Sequence, residues 1–177
     1  TNATITHWKH QYPIPAYLIA IAVTNYVTYT DVVENEPYDI LNYVYPENEV
    51  SRRNATAVTP NLMKLFSEVI EPYPFSKEKY GHAEFSWGGG MEHQTNSFVV
   101  SVGESLVAHE LGHQWFGDKV TCASWEDIWL NEGFATYLAA VYLENKYPAS
   151  TLNNRKNVIN NITSSIGGSV WVDDTTN

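Results

Sequence analysis

The sequence predicts an α+β domain, and two features of its patterning carry that expectation. Strand-like runs rich in β-branched and aromatic residues, closed by Asp or Pro, lie in the first half of the chain. Segments with apolar residues at three- and four-residue spacing dominate the second half.

Residues 15–30 (PAYLIAIAVTNYVTYT) read as one or two strands ending at Asp31, and residues 38–45 (YDILNYVY) as another closed by Pro46. In residues 60–70 a proline stands in the first turn of a helix. Leu62, Leu65, Phe66 and Val69 form its apolar face, which ends near Pro72. Residues 80–87 give a third strand, running into the triple glycine Gly88, Gly89 and Gly90. Ser101 with Glu104 has the form of a capping box, followed by an apolar face of Leu106, Val107, Leu111, Trp115 and Phe116 that Gly117 terminates. The next helix starts around Asn131, turns Phe134, Leu138, Val141 and Tyr142 inward, and runs to Pro148. A more polar helix spans 152–165, before Gly167, Gly168 and an acidic tail with Asp173 and Asp174.

A chain of 177 residues, 44% hydrophobic and 17% charged, can bury one medium core and is not of disordered composition. Its net charge of −10 argues against nucleic acid and anionic membrane surfaces as partners. A single cysteine, Cys122, forms no intramolecular disulfide and no Cys-rich zinc module, and reads as a small buried side chain. No apolar run reaches the ~20 residues of a membrane span. Residues 1–11 lack the basic and apolar parts of a signal peptide, so the chain is expected to begin in mature sequence. The Asn-X-Thr triplets at Asn2, Asn54 and Asn161 are short enough to arise by chance.

His109-Glu110-Leu111-Gly112-His113 is an HExxH pattern on a helix. Positions i and i+4 share a face about 5–6 Å apart, so two imidazoles can converge on one ion. Zinc suits neutral imidazole and takes three protein ligands plus water in catalytic sites. Glu110, one step round the helix, can reach that water and accept its proton. The bland alternative is two ordinary histidines beside a solvated glutamate. A third ligand is available in Glu132, 18 residues after His113 and near the start of the next helix. On its own it reads equally as a glutamate favoured by the helix dipole. Upstream, the glycine run before Met91 and Glu92 permits close backbone approach to a ligand, with Glu92 placed to pair with a cation. Taken alone, that segment reads as a flexible turn with an exposed glutamate.

HELGHQWFGDKVT followed by WEDIWLNEGFATYL resembles the zinc-binding region of the aminopeptidase N-like gluzincins. The resemblance implies Zn2+ held by His109, His113 and Glu132, with Glu110 activating water. Residues 88–93 resemble the family's exopeptidase signature GxMEN. Gly89, Met91 and Glu92 match it, while His93 stands in place of the final Asn. This implies that Glu92 binds the free α-amino group of a peptide, and that the backbone of Gly89, Gly90 and Met91 aligns the substrate as an added strand. The implied fold is a thermolysin-like core, a small mixed sheet with helices carrying the zinc site. Residues 1–37 correspond to the last strands of a preceding β-domain and 38–177 to the peptidase domain, both truncated against the family pattern.

In the family a tyrosine in a YxKG-like segment supports the oxyanion. Tyr137, Tyr142 and Tyr147 lack that context, so the resemblance implies a fragment feeble or inactive by itself. Trp115, Asp118, Trp125, Asp127 and Thr136 are candidate supports of the ligands, although packing or capping is the better reading of each. The expected function is zinc-dependent removal of N-terminal residues from peptides. The alternatives are an endopeptidase on the same core and a non-catalytic metal-binding interaction module. Imidazole and carboxylate ligands also accept cobalt or manganese.

Overall fold

A computed structural model describes residues 5–100 and 103–163. Strands β1 (Val27–Val32), β2 (Asp39–Val44), β3 (Tyr80–Glu84), β4 (Gly90–Met91) and β5 (Ser97–Val99) form one mixed sheet in the order β1-β2-β3-β5-β4. β1 lies before the expected boundary at 37/38, yet it pairs antiparallel with β2 from Val27↔Val44 to Val32↔Asp39. β2, β3 and β5 run parallel, and β4 returns antiparallel as the edge strand. A parallel pair needs a long crossover. Between β2 and β3 it is made by helices α1 (Glu49–Thr56) and α2 (Thr59–Val69).

β3 is buried along its whole length and carries the small residues Gly81 and Ala83. Gly81 sits so close to its partner Leu41 that a Cβ would overlap the Leu41 carbonyl. Helix α2 presents Leu62, Met63 and Phe66 to a core completed by Tyr38, Ile40, Tyr73, Tyr80, Leu111 and Trp115. Trp115 packs edge-on to Phe66 at 5.9 Å and donates its Nε1–H to the Glu71 carbonyl at 3.0 Å. That bond lets a large indole be fully buried without an orphaned donor.

α3 (Glu104–Gly112) packs against β4 and β5, α4 (Trp129–Lys146) packs on α3, and α5 (Thr151–Thr163) follows. Among the described helices, α3 and α4 pack most extensively. Gly112 faces α4 with only its hydrogen, and a Cβ there would come 3.4 Å from Ala135 Cα and 3.3 Å from Leu138 Cδ1. None of the described helices is long and apolar enough to cross a membrane.

Four sequence expectations shift. Residues 15–26 form no strand; they hold one 3-10 turn, Ala16–Leu18, and leave Ile19, Ile21 and Val23 exposed. β-type composition expresses itself only where a pleated surface is there to pack against, and in this stretch only Leu18 finds one. α3 stops at Gly112 rather than near Gly117, because the N–H groups of Gln114 and Trp115 turn to the carbonyls three residues back, Leu111 and Gly112. Gly103, not Ser101, precedes the first turn of α3. Phe134 is 39% exposed rather than inward, stacked on Phe116 at 4.4 Å. Ser101 and residues 164–177, including the glycine pair and acidic tail, lie outside the described residues.

Candidate metal centre

His109 occupies the last turn of α3 and His113 its C-cap, so the pair spans the helix end. Their Nε2 atoms stand 3.0 Å apart. Glu132, in the first turn of α4, places Oε2 at 3.2 Å from His109 Nε2 and 3.6 Å from His113 Nε2. The close crossing at Gly112 and Ala135 makes this reach possible, since Ala135 is one turn along α4 from Glu132. The three side chains differ in exposure: 1% for His113, 23% for His109 and 50% for Glu132.

The tautomers follow from the outer nitrogens. His113 Nδ1–H donates to the Phe116 carbonyl at 3.0 Å, and His109 Nδ1 lies 3.4 Å from Thr136 Oγ1. With Nδ1 carrying the proton, each Nε2 turns a lone pair toward the other and toward the Glu132 carboxylate. Three electron-rich atoms at this spacing repel unless a cation stands among them. For tetrahedral zinc with bonds of about 2.0–2.1 Å, donor atoms are separated by roughly 3.3 Å. The observed spacings bracket that value, so this donor set fits the ion. Without metal, the two imidazoles hold the Glu132 carboxyl well below its usual range. Burial alone would lower His113, but Glu132, Glu92 and Glu110 together raise it.

Glu110 is 3% exposed, and its Oε2 has no hydrogen-bond partner. Burial pushes its carboxyl up to about 8, His113 opposes this, and Glu92 and Glu132 add to it. Directly against this carboxylate lies Gly90 of β4, where a Cβ would overlap Glu110 Oε1. Glu92, 6% exposed, follows β4, and one carboxylate oxygen each from Glu92 and Glu110 and a ring nitrogen of His113 all lie within 4.8 Å of one another. The donor atoms of His109, His113 and Glu132 satisfy the same limit, so His113 joins the two groups. Gly89 has φ +84, a conformation suited to glycine, and Met91 pairs with Phe98 of β5.

Of the five supporting candidates, Thr136 faces His109, and Asp118 donates its N–H to the His113 carbonyl at 2.9 Å. Trp115 belongs to the core, Trp125 packs on Tyr17, and Asp127 accepts a bond from Trp129. Asp118 matters more than the sequence suggested. Its carboxyl is buried with neither oxygen partnered, and burial, Glu92 and Glu110 push it well up. Sequence reasoning missed Asn131 and Tyr17. Asn131 is fully buried beside Glu132; its Oδ1 accepts the Cys122 N–H at 3.1 Å and its Nδ2 donates to Tyr17 Oη at 3.1 Å. A polar residue at a buried position beside a candidate ligand was a readable signal. Tyr17 lies 114 residues from Asn131 and offered none.

Residues 91–167 match the Peptidase family M1 domain. Canine aminopeptidase N is 29% identical over 90% of this chain and 18% of its own length. Bovine glutamyl aminopeptidase is 30% identical over 78% of this chain and 16% of its own, and the leukotriene A-4 hydrolase of Xenopus laevis 31% over 78% and 23%. The chain thus spans 16% to 23% of the length of these relatives. The M1 zinc metallopeptidase of Deinococcus radiodurans shares the fold, with TM-score 0.65 and 24% identity over 84% of this chain and 35% of that one. The sequence matches and the shared fold converge: residues 91–167 match the M1 peptidase domain, and the chain is similar to a fragment of the aminopeptidase N-like gluzincins.

Proposed function

We propose that this chain carries the metal-binding and amine-recognition core of a zinc aminopeptidase. One observation supports the reading above the rest: a His-His-Glu donor set shares His113 with a buried Glu92–Glu110 pair, the donor atoms of each group lying within 4.8 Å of one another. His109, His113 and Glu132 would hold the ion, which when bound supplies Lewis acidity to a substrate carbonyl and acidifies water.

The remaining work falls to the chain itself. Glu110 accepts a proton from the attacking water and passes it to the leaving amine. Its seclusion from solvent keeps its affinity for that proton high, as a shuttle between water and amine requires. Glu92 pairs with the free ammonium of the peptide. A blocked N-terminus would leave this carboxylate desolvated and unpaired, which penalises acetylated peptides. The backbone of Gly89, Gly90 and Met91, at the open edge of the sheet, aligns the peptide.

Metal analysis and chelator competition test the first half. One zinc per chain is expected for the natural sequence and a large loss of affinity for His109→Ala; unchanged stoichiometry and affinity in the variant refutes the donor set. Binding of an amino-acid hydroxamate and its N-acetyl derivative to the zinc-loaded chain tests the second half. Preference for the free amine, abolished in Glu92→Gln, is expected. Equal binding of both ligands would instead favour an endopeptidase.

A further inference from the structure

The turn that follows Glu92 is gripped from two sides. Thr95, a β-branched residue three positions on, sits at φ +66, where side chains of this kind are strained. Such a backbone persists only when its surroundings over-determine it. Here the N–H of Thr95 donates to Gln114 Oε1 at 2.8 Å, a fully buried bond. Its carbonyl accepts from Lys79 Nζ at 3.1 Å, and the same ammonium donates to Asn96 Oδ1 at 2.7 Å. Gln114 is 0% exposed and directly follows the ligand His113. One side chain therefore connects the end of the metal-bearing helix to the loop that carries the amine-binding carboxylate.

We propose that Gln114 is a positioning residue that sets the spacing between Glu92 and the metal ligands, and so the register in which a peptide N-terminus is read. The proposal rests on the reading of Glu92 given above. Gly90 against Glu110 and the bond from Ser97 Oγ to the Glu110 carbonyl at 3.4 Å hold the strands on either side, but the turn between them is tied to the helix end through the Thr95–Gln114 bond. The strained Thr95 backbone makes the bond to Gln114 decisive, because release of that N–H lets the turn relax and carries Glu92 with it.

The test uses the zinc-loaded chain and three readouts: zinc affinity by chelator competition, the preference for a free-amine over an N-acetyl hydroxamate, and hydrogen exchange at the Thr95 amide. Gln114→Met keeps the volume and removes the acceptor. It is expected to lower the amine preference at least tenfold, to speed exchange at Thr95, and to leave zinc affinity within twofold. Thr95→Gly, which holds φ +66 without strain, is expected to restore most of the preference in the Gln114→Met background. Should Gln114→Met not fold, Lys79→Gln releases the same turn from its carbonyl side and is expected to lower the preference in the same sense. Parallel loss of zinc affinity and amine preference, or no change in preference, overturns the proposal. If the natural chain shows no amine preference at all, the reading of Glu92 fails and the spacing role falls with it, even where Thr95 exchange responds to Gln114→Met.

Discussion

Gly90 rests against the Glu110 carboxylate so closely that a Cβ at position 90 would overlap Oε1, Cδ and Cγ of that side chain. The edge strand therefore roofs the buried acid, and the absence of a side chain at 90 is what allows the acid to stay beneath it.

Gly90→Ala is expected to destabilise the fold by about 1–3 kcal/mol through overpacking. Gly88→Ala, with nothing near its Cβ, should fall within about 0.5 kcal/mol of the natural chain. In Gly90→Ala/Glu110→Ala the clash disappears, so the two changes should couple by roughly 0.5–3 kcal/mol. Urea unfolding of the natural chain, Gly90→Ala, Glu110→Ala and the double variant measures the coupling, and strict additivity would contradict the contact.

Gly117 has φ +138, and a Cβ there would stand 3.0 Å from His113 Nδ1. Gly117→Ala should disturb the bond from Nδ1–H to the Phe116 carbonyl that fixes the tautomer of His113. Support of this kind is worth roughly 10–100-fold in metal affinity. Chelator competition reads the loss, and zinc affinity unchanged in the variant rules out the orienting role.

The Gly112–Ala135 crossing governs the distance from Glu132 to the histidines. Gly112→Val should push α4 outward, destabilise the fold by about 1–3 kcal/mol and weaken zinc binding at least tenfold. Ser105→Val, on the exposed side of α3, serves as the control and should leave zinc binding alone. Equal affinities in the two variants would show that the crossing does not set the site.

His82, fully enclosed on β3, donates Nδ1–H to Asn42 Oδ1 at 2.8 Å, and burial followed by Lys79 lowers its pKa from 6.5 to about 3. Between those two values the unfolded chain binds a proton that the native state excludes. Stability therefore rises with pH across this window and is lost as pH falls from about 6.5 toward 3. His82→Gln retains a donor and cannot titrate, so the metal-free variant should show a shallower decline in urea midpoint between about pH 6.5 and 4. Parallel curves for the two chains would assign the acid sensitivity elsewhere.

What could be read without coordinates was periodic or chemically distinctive. β2, α2 and α4 show regular apolar spacing, and His109, His113 and Glu132 stand out by type and separation. α1 escaped because polar contacts hold it: Arg52 on this helix donates to Glu84 Oε1 at 2.6 Å and to the Val100 carbonyl at 2.7 Å. β4 and β5 have two and three residues, too short for alternation to register. Residues 15–26 failed in the opposite sense, having strand-like composition without a strand. Gln114 looked like one more polar residue after a histidine, because its meaning lies in a backbone strained 19 residues away.

The uneven exposure of the three side chains gives the centre a front and a back. His113 is sealed against the sheet side while Glu132 stands half open on α4. An ion would arrive over that helix, and on departure would let go of the carboxylate first and the sealed imidazole last. Loading and stripping would then be governed by the Glu132 side of the site, the half that solvent reaches.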